Sequence, residues 1–341
     1  MATVGKSRSK RKLRWGVIGT AGIADRAVVP AISASRNGRV VAVASRDPER
    51  ARAFAAAHAI PRTHRSYEAL LEDESIDAVY VPLPNSMHRD WTTRATSYGK
   101  HVLCEKPLGL DAAECEEMRS AADLNGVKVM EAFMYRFHPR TERVFADVRS
   151  GRVGRLRSIR AVFTFDLGGA DDDIRLDAAL GGGALMDVGC YCVSVARMLA
   201  GREPTSVEAT AQWAGSRVDT QLSGVLRFDE DLTADIECSL TDERCERYEV
   251  VGTNGRLEVP SAFVPGTADA EIVEATAHGT PVRHHVPGAD QYRLMVEHFA
   301  DCVREDREPR YPISDATANM KVIEAMYRSA HADGEVVEVG A

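Results

Sequence analysis

The stretch LRWGVIGTAGIADRA, residues 13–27, places a short apolar segment directly before a glycine-containing loop and the start of a helix. Gly19 suits a tight turn, Ala21 stands where the backbone must approach a pyrophosphate, and Ala24 stands where helix meets strand. The first N–H groups of such a helix attract phosphates. The stretch therefore predicts a nucleotide-binding βα unit whose contacts come from Gly19, Thr20, Ala21, Gly22 and Ile23.

The same alternation of apolar segment and helix continues to about Met134 and predicts a doubly wound parallel sheet of the Rossmann type. Helix signals separate the segments: Asp47-Pro48 is an N-cap with a first-turn proline, and Gly99 and Gly126 suit helix ends. We assign residues 13–135 to this domain. The predicted strands are Arg14–Ile18, Val40–Ala44, Asp77–Val81, His101–Cys104 and Val127–Ala132.

After Pro139 the pattern changes to strands separated by turns, which predicts an α+β domain over residues 136–341, built on a large and mainly antiparallel sheet. Thr253-Asn254-Gly255 is a strong hairpin signal. The predicted helices are 140–149, 184–199, 291–304 and 315–332. The predicted strands are 158–165, 207–213, 220–228, 233–240, 247–251 and 256–259.

Composition excludes several classes of function. The formal net charge of -8 over 341 residues disfavours nucleic-acid binding and leaves a small molecule as the expected substrate. Residues 1–12 are basic and predict a disordered tail. Nowhere do eighteen apolar residues follow one another, so we expect no membrane span. The seven cysteines have neither disulfide-framework nor metal-ligand spacing, so we expect a cytoplasmic protein without a metal site.

The end of the second strand bears on the choice of dinucleotide. Enzymes that use NAD usually carry an acidic residue there for the ribose 2′-hydroxyl, whereas Ser45-Arg46 suits the 2′-phosphate of NADP. The alternative is that both residues only begin the solvated turn before Asp47. NADP is therefore the predicted cofactor, with NAD possible but less favoured.

Three further motifs follow in order: Pro82-Leu83-Pro84-Asn85 with His88, then Glu105-Lys106-Pro107, then GGGALMDVGCY at residues 181–191. Together with the first loop they resemble the glucose-fructose oxidoreductase, inositol dehydrogenase and MocA (Gfo/Idh/MocA) family over nearly the whole chain from Leu13. The segment EAFMYR at residues 131–136 and Tyr191 resemble a branch that contains aldose dehydrogenases, dihydrodiol dehydrogenases and sugar ketoreductases. Many other members have histidine where Tyr191 stands.

The resemblance implies roles for particular residues. Lys106 follows the fourth strand, at the edge where such sheets bind ligands, and the family's bond before Pro107 is typically cis. Asp187 and Tyr191 lie four apart on one helix and so share a face. We expect Tyr191 as acid/base, Lys106 as the cation that lowers the phenol pKa and donates to the reacting oxygen, and Asp187 as substrate orienter. Exchange of roles between Lys106 and Tyr191 stays open.

Other residues of the predicted site complete the cofactor and substrate contacts. Five residues are expected to contact the cofactor: Pro82, Leu83, Asn85, Glu105 and Lys106. His88 either does so or caps the next helix. Tyr135 and Arg175 are expected to contact substrate, although Arg175 has pairing with Asp177 as its alternative.

The predicted function is NADP-dependent hydride transfer at a carbinol or carbonyl carbon of a pyranose-type sugar. Alternatives are a trans-dihydrodiol or nucleotide-sugar oxidoreductase, a glycosidase that uses nicotinamide redox chemistry, and a non-catalytic NADP-sensing regulatory protein. A homodimer or homotetramer through the antiparallel sheet is expected, because strands 207–213 and 233–240 carry apolar groups on a sheet that helices cover on one face.

Overall fold

A computed structural model describes residues 11–169, 173–215, 218–229, 231–276 and 279–340. Most of the predicted basic tail, residues 1–10, lies outside the described residues. Its last two positions are attached to the first domain: Arg11 bonds to the carboxylate of Asp77, and Lys12 Nζ donates to the carbonyl of Ser35 at 2.9 Å.

The first domain is a parallel six-stranded sheet in the order β3-β2-β1-β4-β5-β6. The order reverses between β1 and β4, the place where doubly wound sheets bind ligands, so the predicted Rossmann fold is confirmed. The strands are β1 (Leu13–Ile18), β2 (Gly38–Ala44), β3 (Thr63–His64), β4 (Ala78–Val81), β5 (His101–Cys104) and β6 (Val129–Glu131). The helices are α1 (Val29–Ala34), α2 (Pro48–Ala57), α3 (Tyr67–Leu71), α4 (His88–Ser97) and α5 (Ala112–Asn125).

Local signals explain most of these boundaries. The Asp47 side chain caps α2 by accepting the N–H groups of Glu49 and Arg50, and Gly126 ends α5 in the left-handed region at φ 63°. A π-helical turn, Ala24–Val28, precedes α1, and Pro30 in α1 has no N–H to donate to the preceding turn. The short elements β3 and α3 were not predicted, because neither is long enough to show a hydrophobic period.

The second domain is a nine-stranded sheet in the order β14-β13-β12-β11-β7-β10-β9-β8-β15. Among the described strands of this sheet, only β7 and β10 pair in parallel, and the other pairs are antiparallel, as predicted. The helices that follow the first sheet along the chain are α6 (Pro139–Arg149), α7 (Cys190–Ala200), α8 (Gln291–Glu305) and α9 (Ile313–His331), and α8 packs against α1 and β2 of the first domain. The strands of the second sheet are β7 (Leu156–Asp166), β8 (Ser206–Trp213), β9 (Asp219–Arg227), β10 (Thr233–Ser239), β11 (Thr241–Gly252), β12 (Arg256–Pro260), β13 (Ala270–Ala275), β14 (Val282–Val286) and β15 (Val337–Glu338).

The two faces of this sheet differ in chemistry. On one face, apolar side chains such as Val207 and Ile236 are buried, and α7 and α9 pack against the strands. The other face bears Glu208, Asp235 and Arg247 around a depression of about 530 Å³. The expectation that apolar groups of β8 and β10 need cover on the open face is therefore wrong, because the two-residue period of a strand turns them toward the helices.

One segment, Ala178–Ala200, is long and apolar enough to cross a membrane by length and composition alone. In the structure 67% of the window is buried inside the protein. It includes α7, which lies under β7, so the segment has the environment of a core helix.

Candidate active site

A cleft of about 1240 Å³ runs along the carboxyl edge of the parallel sheet and is lined by both domains. It brings together nearly all of the residues that the sequence predicted for the cofactor and the substrate. The predicted residues that line it are Gly19, Thr20, Ala21, Gly22, Ile23, Ser45, Arg46, Pro82, Leu83, Asn85, Glu105, Lys106, Arg175, Asp187 and Tyr191.

The first loop has the geometry that a dinucleotide phosphate requires. Gly19 adopts φ +107°, where an L side chain is strained, and its N–H donates to the carbonyl of Ala44 at 2.8 Å. A Cβ there would also lie 3.1 Å from Leu83. At Gly22 a Cβ would meet the Arg26 guanidinium at 3.1 Å. The tight turn at Gly19 thus brings the loop to the cleft just before the helical turn, which fits a bound dinucleotide.

The end of β2 fits a 2′-phosphate. Arg46 and Arg50 both line the cleft beside Ser45. Asp47, which also lines the cleft, caps α2 by accepting the N–H of Glu49 at 2.8 Å. Arg50 was not predicted; it lies in the first turn of α2, which follows directly on Arg46 and the N-cap Asp47. Two guanidinium groups can therefore face an anion here.

Lys106 and Asp187 form a close ion pair across the two domains. Lys106 Nζ donates to Asp187 Oδ1 at 2.8 Å and to the Asp187 carbonyl at 2.7 Å, and the Lys106–Pro107 peptide is cis. Burial disfavours the charged ammonium, but the Asp187 carboxylate outweighs it and raises the pKa of Lys106. Burial likewise opposes ionisation of Asp187, while Lys106 and Arg175 lower its pKa. Both groups are therefore charged at neutral pH.

Arg175 holds the second oxygen of the same carboxylate. Its Nε donates to Asp187 Oδ2 at 2.8 Å, and its Nη1 pairs with Asp173 at 2.9 Å. The alternative partner Asp177 is wrong, because the Asp177 side chain accepts the N–H of Ala179 at 2.8 Å instead. Arg175 thus fixes Asp187 from the side opposite Lys106 while itself lining the cleft.

Tyr191 is almost fully enclosed, with 6% of its surface exposed. Phe133, Phe163 and Phe263 surround its ring at centroid distances of 5.0, 5.4 and 5.3 Å. Its hydroxyl donates to Met134 Sδ at 3.5 Å, while Lys106 Nζ lies 5.3 Å from the ring centroid. Burial raises the pKa of Tyr191 well above its usual value.

The expectation that Lys106 lowers the phenol pKa is therefore not met. The ammonium faces the ring and the Asp187 carboxylate rather than the phenol oxygen. A phenol in this apolar enclosure keeps its proton at neutral pH.

Two predicted contact residues lie behind the cleft. His88 is fully buried, with Nδ1 2.8 Å from the carbonyl of Pro107 and Nε2 2.8 Å from that of Leu83. It ties the loop after β4 to the loop after β5, and its side chain neither lines the cleft nor caps α4. Tyr135 is also fully buried, and its hydroxyl lies 2.5 Å from Ser194 Oγ. Direct contact of Tyr135 with a substrate is therefore not supported, and its ring packs against Tyr191 instead.

Asn85 links the domains at the other end of the site, since its Nδ2 donates to the carbonyl of Gly181 at 2.8 Å. Sequence reasoning missed several lining residues besides Arg50, among them Phe165, Arg244 and Tyr292. They belong to β7, β11 and α8, and no local motif marks them, because only tertiary packing, including that of α8 against α1 and β2, brings these elements to the cleft. In the described part of the chain no three His, Cys, Asp or Glu side chains cluster to hold a metal ion.

Comparison with known proteins agrees with this geometry. Residues 13–133 match the oxidoreductase family with an NAD-binding Rossmann fold, and residues 142–258 match the GFO/IDH/MocA C-terminal domain. The matches define the class, an oxidoreductase built on a nicotinamide-dinucleotide fold. More particularly, the chain belongs to the Gfo/Idh/MocA family, so the resemblance predicted from the motifs is confirmed.

Individual relatives cover almost the full chain. A D-xylose 1-dehydrogenase (NADP(+)) of Haloferax volcanii is 44% identical over 96% of this chain and 100% of its own length. The structure of a 3-ketoreductase from Actinomadura kijaniata, in complex with NADP and TDP-benzene, superposes with a TM-score of 0.89 at 32% identity, covering 94% of this chain and 98% of that one. An aldose-aldose oxidoreductase from Caulobacter crescentus gives 0.89 at 30% identity, covering 96% and 100%.

Proposed function

We propose that this protein is an NADP-dependent aldose 1-dehydrogenase, acting on the C1 carbinol of a pyranose such as xylose. The observation that carries the proposal is the Lys106–Asp187 ion pair, which faces the same cleft as the dinucleotide loop and Tyr191. The near full-length similarity to an NADP-dependent xylose dehydrogenase supports the substrate class. Residues 13–135 would bind the cofactor, and residues 136–341 would bind the sugar.

NADP would bind along the first loop, with its 2′-phosphate at Arg46 and Arg50. A guanidinium pairs with a phosphate through two parallel charge-assisted hydrogen bonds, a geometry that an uncharged ribose hydroxyl does not offer. Bound NADP supplies the nicotinamide that accepts or returns the hydride. Pro82, Leu83, Asn85 and Glu105 would complete this half of the site, since they line the cleft between the loop and Lys106.

Lys106 would bind the reacting oxygen. Two of its donors are used by Asp187, and an ammonium has three, so one remains for a sugar oxygen. Asp187 fixes the direction of that donor, and Arg175 would hold a neighbouring hydroxyl. Positioned donors of this kind stabilise charge that develops on oxygen.

The reaction also moves a proton to or from the same oxygen. Tyr191 and Lys106 both hold their protons at neutral pH, since the pKa of each is raised. Both are therefore poised to donate when a carbonyl is reduced. Oxidation of the sugar requires one of them to lose its proton first, so oxidation should become faster as the pH rises through the alkaline range.

A second candidate is reduction of a keto group on a nucleotide-linked sugar. The protonated state of Tyr191 and Lys106 favours reduction. In addition Arg244, whose side chain is 58% exposed, lies at the cleft, where a cation would suit a diphosphate. Its pairing with Glu246 at 2.6 Å already neutralises it, which ranks this candidate second.

A substrate panel tests both candidates. Free aldopentoses and aldohexoses are assayed with NADP, and a dTDP-linked 3-keto sugar is assayed with NADPH, with NAD and NADH as matched controls. We expect kcat/KM for xylose or glucose to exceed that for the nucleotide sugar by at least about 10-fold, a difference of about 1.4 kcal/mol in transition-state binding. Turnover of the nucleotide sugar alone would contradict the dehydrogenase proposal.

We also propose a homodimer or homotetramer that forms through the open face of the nine-stranded sheet. No helix among the described residues is assigned to that face, and its alternating charges, such as Arg160 beside Asp235 at 3.4 Å, suit a polar interface. Light scattering at micromolar concentration tests this, and a monomer would contradict it. A cytoplasmic location is proposed on the seven cysteines, which are all free thiols.

A further inference from the structure

The helical segment that carries Asp187 and Tyr191 begins against a buried carboxylate from another strand. Asp219, the first residue of β9, is 1% exposed. Its Oδ2 accepts the N–H of Leu185 at 2.7 Å, and its Oδ1 accepts the hydroxyl of Tyr327 at 2.7 Å. Neither Asp219 nor Tyr327 lines the cleft, so the pair touches the site only through the backbone.

The third glycine of the GGG motif, Gly183, lies directly against this carboxylate. Gly183 adopts φ +123°, and a Cβ there would collide with Asp219 Oδ1 and lie 2.9 Å from the Tyr327 hydroxyl. The carbonyl of Gly183 accepts the N–H of Asp187 at 2.9 Å. The glycine therefore allows one close contact between the carboxylate and the turn on which Asp187 sits.

The turn that follows is a π-helical segment, Leu185–Gly189. Its first N–H groups have no partner inside the segment, so an external acceptor is needed to hold its start in place. Asp219 supplies that acceptor for Leu185. Two residues later Asp187 directs two hydrogen bonds of Lys106. A shift at the start of the segment is thus passed to the Lys106 ammonium.

We infer that Asp219, held by Tyr327, is a positioning residue that sets the Asp187–Lys106 pair and Tyr191 for reaction. The inference rests on the proposed function, because its consequence is a rate. Burial raises the pKa of Asp219 to about 6, and the hydrogen bonds from Tyr327 and Leu185 oppose that rise. At neutral pH the group is therefore mainly a carboxylate, able to accept both bonds.

A graded series of variants tests the inference. Asp219→Ala removes both acceptors, Asp219→Asn keeps one, and Tyr327→Phe removes one donor. Displacement of a reacting group by about 1 Å costs about 100-fold in rate. We therefore expect kcat to fall by about 100-fold in Asp219→Ala, about 10-fold in Asp219→Asn and a few-fold in Tyr327→Phe.

The rate is expressed per bound NADPH, measured by fluorescence titration, so that loss of folded protein does not count as loss of catalysis. The dissociation constant for NADPH should stay within about twofold, because these residues lie in the other domain. Ser329→Ala is the matched control. Ser329 is buried on the same helix as Tyr327, and its Oγ accepts the N–H of Ala209 at 2.9 Å. It should lower stability and leave kcat per bound NADPH unchanged.

A kcat per bound NADPH in Asp219→Asn within twofold of the wild type would overturn the inference. If Asp219→Ala does not fold, the other two variants still decide. A crystal structure of Asp219→Asn gives a readout that needs no substrate: the Lys106 Nζ–Asp187 Oδ1 distance should lengthen from 2.8 Å, and an unchanged distance would also overturn it. An inactive wild type on every sugar would instead refute the proposed function, and the distance would still test the inference.

Discussion

The Tyr191→Phe variant removes one oxygen atom, and we expect this to lower the catalytic rate strongly while changing stability little. The hydroxyl donates to Met134 Sδ at 3.5 Å, and a thioether is a weak acceptor. Loss of that bond should therefore change the free energy of unfolding by less than about 1 kcal/mol. If the hydroxyl transfers the proton to or from the sugar oxygen, kcat should fall by about 100-fold, which corresponds to about 2.7 kcal/mol of transition-state stabilisation.

Tyr135→Phe is the matched control, because it removes the same atom from the neighbouring ring. The Tyr135 hydroxyl is buried, lies 2.5 Å from Ser194 Oγ and is away from the cleft. We expect it to cost about 1 kcal/mol in the free energy of unfolding and to leave kcat within about twofold. The two variants should thus show opposite patterns.

The assay measures kcat with saturating NADP and sugar, and urea unfolding at the same pH. A sugar deuterated at the reacting carbon shows whether hydride transfer limits the rate. Wild-type kcat in Tyr191→Phe, with a full isotope effect, would refute the assignment of Tyr191 and leave Lys106 as the proton carrier.

Three further predictions follow from the same contacts. Arg46→Asp should lower kcat/KM for NADP by about 10- to 100-fold, since it removes a charge-assisted hydrogen bond to the 2′-phosphate, and an unchanged NADP/NAD ratio would argue against this position. The Asp187 carboxylate raises the pKa of Lys106 against the effect of burial, so Asp187→Asn should lower that pKa and move the alkaline rise in the rate of sugar oxidation to lower pH. An unchanged pH–rate profile would count against this electrostatic link. Burial raises the pKa of Glu131 to about 7 from an ordinary value of 4.5, so the wild type is stabilised as the pH falls from about 7 toward 4.5. The Glu131→Gln variant lacks this titration and should therefore gain stability relative to the wild type as the pH rises, by up to about 3 kcal/mol. If urea unfolding gives the same pH dependence of stability for both proteins, the prediction is wrong.

The sequence alone determined the features that depend on neighbours along the chain. The apolar segments and the helix signals at Asp47 and Gly126 predicted the alternating fold, and Gly19 predicted the tight turn. Ser45-Arg46 indicated a phosphate site because it ends a strand at the ligand-binding edge. The spacing of Asp187 and Tyr191 placed both on one side of a helical segment.

Only the tertiary structure decided what surrounds each of these groups. The partner of Lys106 lies 81 positions away, so no local pattern could show that Asp187 uses two of its donors. The partner of Arg175 could not be predicted either. Asp177, close to it along the chain, accepts the N–H of Ala179, and Arg175 bonds to Asp187 instead. Arg244 reaches the cleft through the topology of the second sheet, and Tyr292 reaches it through the packing of α8 against the first domain.

The pKa of Tyr191 shows why the sequence alone could not predict how the groups of the site are protonated. A sequence reveals that a tyrosine and a lysine share a site, and a nearby cation lowers the pKa of a phenol. Whether desolvation raises the phenol pKa more than the cation lowers it depends on how deeply the ring is buried and on where the ammonium lies. Phe163 and Phe263, distant along the chain, enclose the ring, and Asp187 draws the ammonium away from the phenol oxygen. Desolvation then raises the pKa that proximity to Lys106 alone would have lowered, because the free energy of a charge is set by every atom packed around it.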